Sequence, residues 1–281
     1  MKLFQPPKSF VLVLIAAAIP ALCYAQDKAK NKEKPAKLTP EELKIAKPSG
    51  IPSPIALFKA FDDIQGIDWE KAAAEIAKEP ALERTTYGSD TVKVALNIGT
   101  RIADALFAIQ AKDTQLLRDA SNSAIELSKT FNLQMDLAKS RDDITSLAEK
   151  KDWNQVAQAT QDVSDMIERK LTSADEGGKA TLAAIGGWLR GLELITGMLA
   201  TEYSEKGGSL LRQGELMAAM KERLEKLDSS SKDNPMVREI TAQVGKIEEL
   251  TAVPKGKAVS KENVAKLHEI SAQLVRTIEN G

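Results

Sequence analysis

Cysteine is nearly absent, Cys23 being the only one in 281 residues. A lone thiol forms no internal disulfide, no cysteine-ligated zinc or iron–sulfur centre, and no paired-cysteine haem link. Histidine is as scarce, with His268 the single example. One imidazole without thiols makes a poor metal site, and no serine is placed to use it as the base of a Ser–His–acid triad. Aromatic side chains make up 4% of the chain, which argues against a carbohydrate cleft or a base-stacking surface built on rings. No proline occurs between Pro80 and Pro235, as suits a chain committed to long helices. An excess of charge is missing too: 39 Lys plus Arg face 40 Asp plus Glu. That balance offers no general attraction to nucleic acid or to anionic membrane. Phosphate-binding loops, dinucleotide fingerprints, HExxH helices and paired Glu-x-x-His motifs are also lacking, so no cofactor or metal is expected.

What is present begins with an export signal. Lys2 and Lys8 precede a ten-residue apolar run, Phe10 to Ile19, which Pro20 ends before the small-residue region Ala21 to Ala25. The run is shorter than the roughly 20 residues that cross a bilayer, so residues 1–25 read as a signal peptide cut after Ala25. The expected location is therefore the periplasm or the exterior of a bacterial cell. Lipid attachment at Cys23 is the less favoured alternative, because Leu22 stands where a small residue is usual. Loss of Lys2 and Lys8 takes the net charge from −1 to −3.

Residues 26–54 are rich in Lys and Pro and poor in large apolar groups, a composition that does not repay ordering. They read as a flexible tether with one short helix capped by Thr39.

From residue 55 to 281 the pattern is all-α. Apolar residues recur three and four apart along Ala95, Ile98, Ile102, Leu106 and Ile109, along Leu116, Ala120, Ala124 and Leu127, and along Val156, Val163, Ile167 and Leu171. The same spacing runs through Leu216, Met220, Leu224 and Leu227, through Val237, Ile240, Val244 and Ile247, and through Val264, Leu267, Ile270, Leu274 and Ile278. Each set lies on one helical face that must be buried against a neighbour. Caps are expected at Asp68, at Asn234 before Pro235, and at Ser260. The prediction is an elongated or globular bundle of seven or eight helices, mostly antiparallel because the connections are short.

Two segments stand out. Lys179 to Ala200 carries Gly186, Gly187, Gly191 and Gly197, each costing a helix about 1 kcal/mol relative to alanine. A helix that keeps them is expected to be central, with another backbone close against it. Arg190 and Glu193 near its middle argue against a transmembrane span. Asn97-Ile98-Gly99 resembles Ala184-Ile185-Gly186, and each is followed by an Arg and an acid three apart: Arg101 with Asp104, Arg190 with Glu193. Such pairs meet along one side of a helix. They either face a polar edge or join in a seam that locks two helices or holds a small charged ligand, arginine supplying a fork for carboxylate or phosphate. Asn97, Arg101, Asp104, Trp188, Arg190 and Glu193 are the candidate ligand or interaction residues. His268 reads as helix surface.

These features favour an exported, non-enzymatic helical bundle, a scaffold, adaptor or chaperone-like module for another envelope protein or for a second copy of itself. The alternatives are a small-molecule binder using the Arg/acid seam and a carboxylate- or serine-dependent hydrolase. The scaffold reading requires an exposed apolar or mixed groove on the folded surface, and the small-molecule reading an internal pocket lined by Arg101, Asp104, Arg190 and Glu193.

Overall fold

The structure, a computed structural model, describes residues 51, 54–64, 66–173 and 177–280. The expected signal peptide, Cys23, the Thr39 cap and nearly all of the expected tether lie outside the described residues. Among the described residues every regular element is helical and no strand occurs. In chain order the α-helices are α1 (Pro54–Phe61), α2 (Trp69–Ile76), α3 (Thr91–Ala111), α4 (Thr114–Ser128), α5 (Gln134–Glu149) and α6 (Trp153–Ser173). There follow α7 (Gly177–Thr201), α8 (Glu205–Leu210), α9 (Gly214–Glu225), α10 (Ser229–Asp233), α11 (Pro235–Thr251) and α12 (Lys261–Asn280). Twelve α-helices among the described residues exceed the expected seven or eight. The surplus comes from α1, α2, α8 and α10, each of eight residues or fewer, too short to repeat an apolar spacing.

Local chemistry sets the ends. Gly66 adopts a left-handed φ of 89° before α2, and Asp68 caps that helix by accepting from the Lys71 N–H at 2.9 Å. Asp90 and Asp113 cap α3 and α4 in the same way. Asn234 accepts from the Met236 N–H with Pro235 at the first helical position. The Ser260 hydroxyl accepts from the Asn263 N–H at 3.2 Å, at the start of α12.

Packing is organised by α3 and α7, whose mutual contact is the most extensive between any two elements. The helices run parallel, since Leu96 faces Gly186, Gly99 faces Gly187, and Asp104 faces Arg190. Three intervening helices, α4 to α6, carry the chain away and back, so this central pair departs from the expected antiparallel arrangement. A Cβ on Gly99 would stand 1.9 Å from the Ala183 carbonyl oxygen, and one on Gly186 would stand 2.1 Å from that of Leu96. The two Ile-Gly motifs therefore meet at one crossing. Gly191 serves elsewhere, against Pro54 and Phe58 of α1.

Burial explains the composition of α7. Its apolar length would suffice to cross a membrane, but 72% of its most apolar stretch is buried inside the fold, between α3, α12, α6 and α1. The remaining long helices follow their apolar stripes, with a small shift in α9. There Met217, Met220 and Leu224 are buried, while Leu216 is only partly covered.

Gly245 in α11 is different from the crossing glycines, because nothing lies within 4 Å of the place its Cβ would take. Gly245→Ala is expected to stabilise the protein by up to about 1 kcal/mol through helix propensity and a less flexible unfolded chain. A higher urea midpoint at unchanged denaturant slope is the readout.

Candidate functional site

The spacing of three along α3 sets Arg101 beside Asp104, and along α7 it sets Arg190 beside Glu193. The parallel crossing at Gly99 and Gly186 then brings the two pairs together one turn further on. Arg190 donates from Nε to Asp104 at 2.7 Å, from Nη1 to Glu193 at 2.8 Å and from Nη2 to Glu79 at 2.6 Å. Arg101 ion-pairs through Nη2 with Glu279 of α12. Its Nη1 stands 3.2 Å from Asp104 Oδ2, near enough for attraction, yet neither atom makes an aligned hydrogen bond. Arg101, Asp104 and Arg190 are each 1% exposed or less, so the cluster is far deeper than a seam at the helix edges.

Four carboxylates thus surround two guanidinium groups. Asp104 lies between the arginines, Glu279 closes one end, and Glu79 with Glu193 closes the other. Burial works against the charge on Arg190, but Asp104, Glu193 and Glu79 outweigh it and hold the guanidinium protonated far beyond its ordinary range. Burial raises the Glu79 carboxyl above its usual range despite Arg190. Glu279 is pushed up to about 7, burial prevailing over Arg101 and Arg190.

The raised value gives a sign for stability. Glu279 titrates near 4.5 in the unfolded chain and near 7 when folded, so between those values the native state binds the extra proton. Its contribution to stability is greatest at the acid end of that window and declines as pH rises through it. Urea unfolding should show wild-type stability falling relative to that of Glu279→Gln between about pH 5 and pH 8. A constant difference across that range would sink the assignment.

The other two sequence candidates do not join the arginines. Asn97 donates to the Ile278 carbonyl at 2.8 Å and to that of Lys93 at 2.9 Å, and its Oδ1 accepts from the Tyr87 hydroxyl. It fastens the end of α12 to α3. Tyr87 is pushed up to about 12, chiefly by burial, so it keeps the proton it donates. Trp188 is 2% exposed and donates from Nε1 to Gln213 at 3.1 Å; it fills the core.

The cluster reaches the surface at its Glu79 end, in an open groove of about 950 Å³ between α2 and the second half of α7. Arg190 and Glu193 form part of its floor, and Trp69, Ile67, Leu194 and Met198 supply apolar wall. Trp69 is held from behind by Phe107 and Phe58, ring centres 5.1 and 6.1 Å away, so three of the scarce aromatics stiffen this wall. Six carboxylates line the groove, Asp68, Glu70, Glu75, Glu79, Glu193 and Glu202, against the cations Lys71, Lys112 and Arg190. No family model, no curated protein and no solved structure matches the chain.

His268 also lines the groove, half-buried rather than on the helix surface as expected. Its ring lies on Gly197, where a Cβ would be 3.0 Å from Cε1. Nδ1 stands 3.2 Å from the Glu193 carbonyl oxygen. A carbonyl only accepts, so this contact assigns the neutral ring's proton to Nδ1 and leaves Nε2 an acceptor. Sequence reasoning missed Trp69, Glu79, His268 and Glu279 as members of this region. Glu79 and Glu279 carry no periodic signal, and His268 came only as a lone residue beside an apolar stripe.

Proposed function

We propose that the protein is an exported, non-enzymatic binding module of the bacterial cell envelope whose working surface is the groove between α2, α7 and α12. The observation that carries this reading is the groove itself, about 950 Å³ with mixed apolar and charged walls. It falls within the size range of ligand sites, which are typically about 300–1,000 Å³. Export rests on the pattern of residues 1–25, and the Lys- and Pro-rich residues that follow suit a spacer between the bundle and its point of attachment or release.

A small-molecule occupant is favoured over a flat protein contact by the groove's concave form and by its charged floor. The buried ion pairs give that floor fixed side chains, since Arg190 is bonded from all three of its nitrogens. The test is capture from native envelope extract with the full secreted form. It is run beside a Glu70→Lys/Glu202→Lys variant, both substitutions being at exposed rim positions. A stoichiometric protein or metabolite retained by the wild type and lost from the variant supports the reading. Identical recoveries from both would overturn it.

A further inference from the structure

The buried cluster holds two guanidinium groups for four carboxylates, and its surplus of negative charge lies where it opens to the groove. Glu79 and Glu193 each give one oxygen to Arg190. Nearby, Glu70 and Glu202 line the wall and form no ion pair among the described residues. When its ring is neutral, His268 adds an acceptor at Nε2, because Nδ1 then donates to the Glu193 carbonyl. Carboxylates outnumber cations on these walls, and besides Lys71, Lys112, the Trp69 indole N–H and the Gln110 amide the polar groups offered there are acceptors, so the complementary ligand brings donors and positive charge. The apolar wall of Trp69, Leu194 and Met198 suits the aliphatic stem of such a ligand, and an indole in that wall attracts a cation.

We propose that the groove takes a small organic polycation, with ammonium groups spaced along an aliphatic chain, which supplies the positive charge that the Glu79–Arg190–Glu193 cluster lacks. This rests on the groove being the working surface and specifies the chemistry of its occupant. A proton and the ligand compete for the same deficit. Glu279 faces Arg101 and Asp104 from α3, Arg190 from α7, Glu79 from the segment before Pro80, and Arg84, which donates to the Glu279 backbone carbonyl at 2.9 Å. The Tyr87 hydroxyl also feels the Glu279 charge, which helps hold its proton on. Charge arriving at Glu79 and Glu193 is relayed through Arg190, Asp104 and Arg101 to Glu279, and binding expels a proton to solvent.

Titration calorimetry of the full secreted protein with spermidine tests this. Saturable binding is expected, weaker at high salt and tighter at pH 8 than at pH 6 by up to about tenfold, the ceiling for one proton leaving a group that titrates at about 7. Buffers of different ionisation heat should report that proton directly. Glu79→Gln should weaken binding at least about tenfold, the loss of one charge-assisted contact. Glu202→Lys, at an exposed position, should do so without touching the buried cluster, which keeps the test valid if the first variant folds poorly. Spermidine affinity unchanged in both folded variants would overturn the proposal. So would tighter binding of trilysine than of spermidine, which would assign the ammonium groups to a partner protein. Occupation of the groove by glutarate or heptanediol in place of spermidine would overturn the cation and leave the groove reading standing. The groove reading itself falls only on the extract comparison.

Discussion

Arg190→Ala is expected to destabilise the protein by about 3–5 kcal/mol, the usual result of removing one partner from a buried ion pair. Arg190 bonds Asp104, Glu193 and Glu79 at once. Asp104 is 0% exposed, and its other cation is an Arg101 nitrogen that makes no aligned bond to it. A desolvated carboxylate with so little compensation must take a proton or draw water into the core, and either opens the α3–α7 contact. Urea unfolding followed by far-ultraviolet circular dichroism reads the loss as a lower midpoint. The double variant Asp104→Leu/Arg190→Met should be less destabilised than Arg190→Ala, because apolar groups of similar volume replace the charges instead of stranding one. Equal destabilisation of the two would mean that the cluster is not desolvated as described.

Gly99→Ala is expected to cost about 3 kcal/mol, at the upper end for an overpacked site. Helix propensity alone predicts the opposite sign, a gain of about 1 kcal/mol. The decision rests on what the new methyl meets. Its carbon would lie 1.9 Å from the Ala183 carbonyl oxygen and 2.7 Å from the Gly187 nitrogen, and both are backbone atoms of a central helix that cannot rotate aside. The helices must separate, which also lengthens the Asp104–Arg190 bond that their approach creates. Increased stability of this variant, parallel to that expected of Gly245→Ala, would contradict the close crossing.

The glycines show how far a sequence carries such inference. Four of them in one helix signal a close neighbour, because nothing else repays their cost to helix formation. The neighbour's identity was half visible in the matching Ile-Gly at residues 98–99. Which glycine does what was not: Gly186 rather than Gly191 faces α3, and Gly191 accepts Pro54. The Arg–acid spacing likewise displayed two pairs and left their surroundings open. Trp188, adjacent to them in sequence, points about 100° away from its chain neighbour on a helix and ends against Gln213. His268 was read from its own helix alone, and its contact is a carbonyl 75 residues earlier.

The sequence alone determined the all-helical class, the long helices and the capped starts at Asp68 and Asn234. Those features arise from forces that act within a turn or two, where chain neighbours are spatial neighbours. The tertiary structure decided the parallel α3–α7 crossing, the burial of Arg101 and Arg190, and the joining of Asp104 to Arg190 across 86 residues and of Arg101 to Glu279 across 178. Such pairs depend on the depth and angle at which helices pack, set by many small contacts summed over the whole core, and no local spacing records that sum.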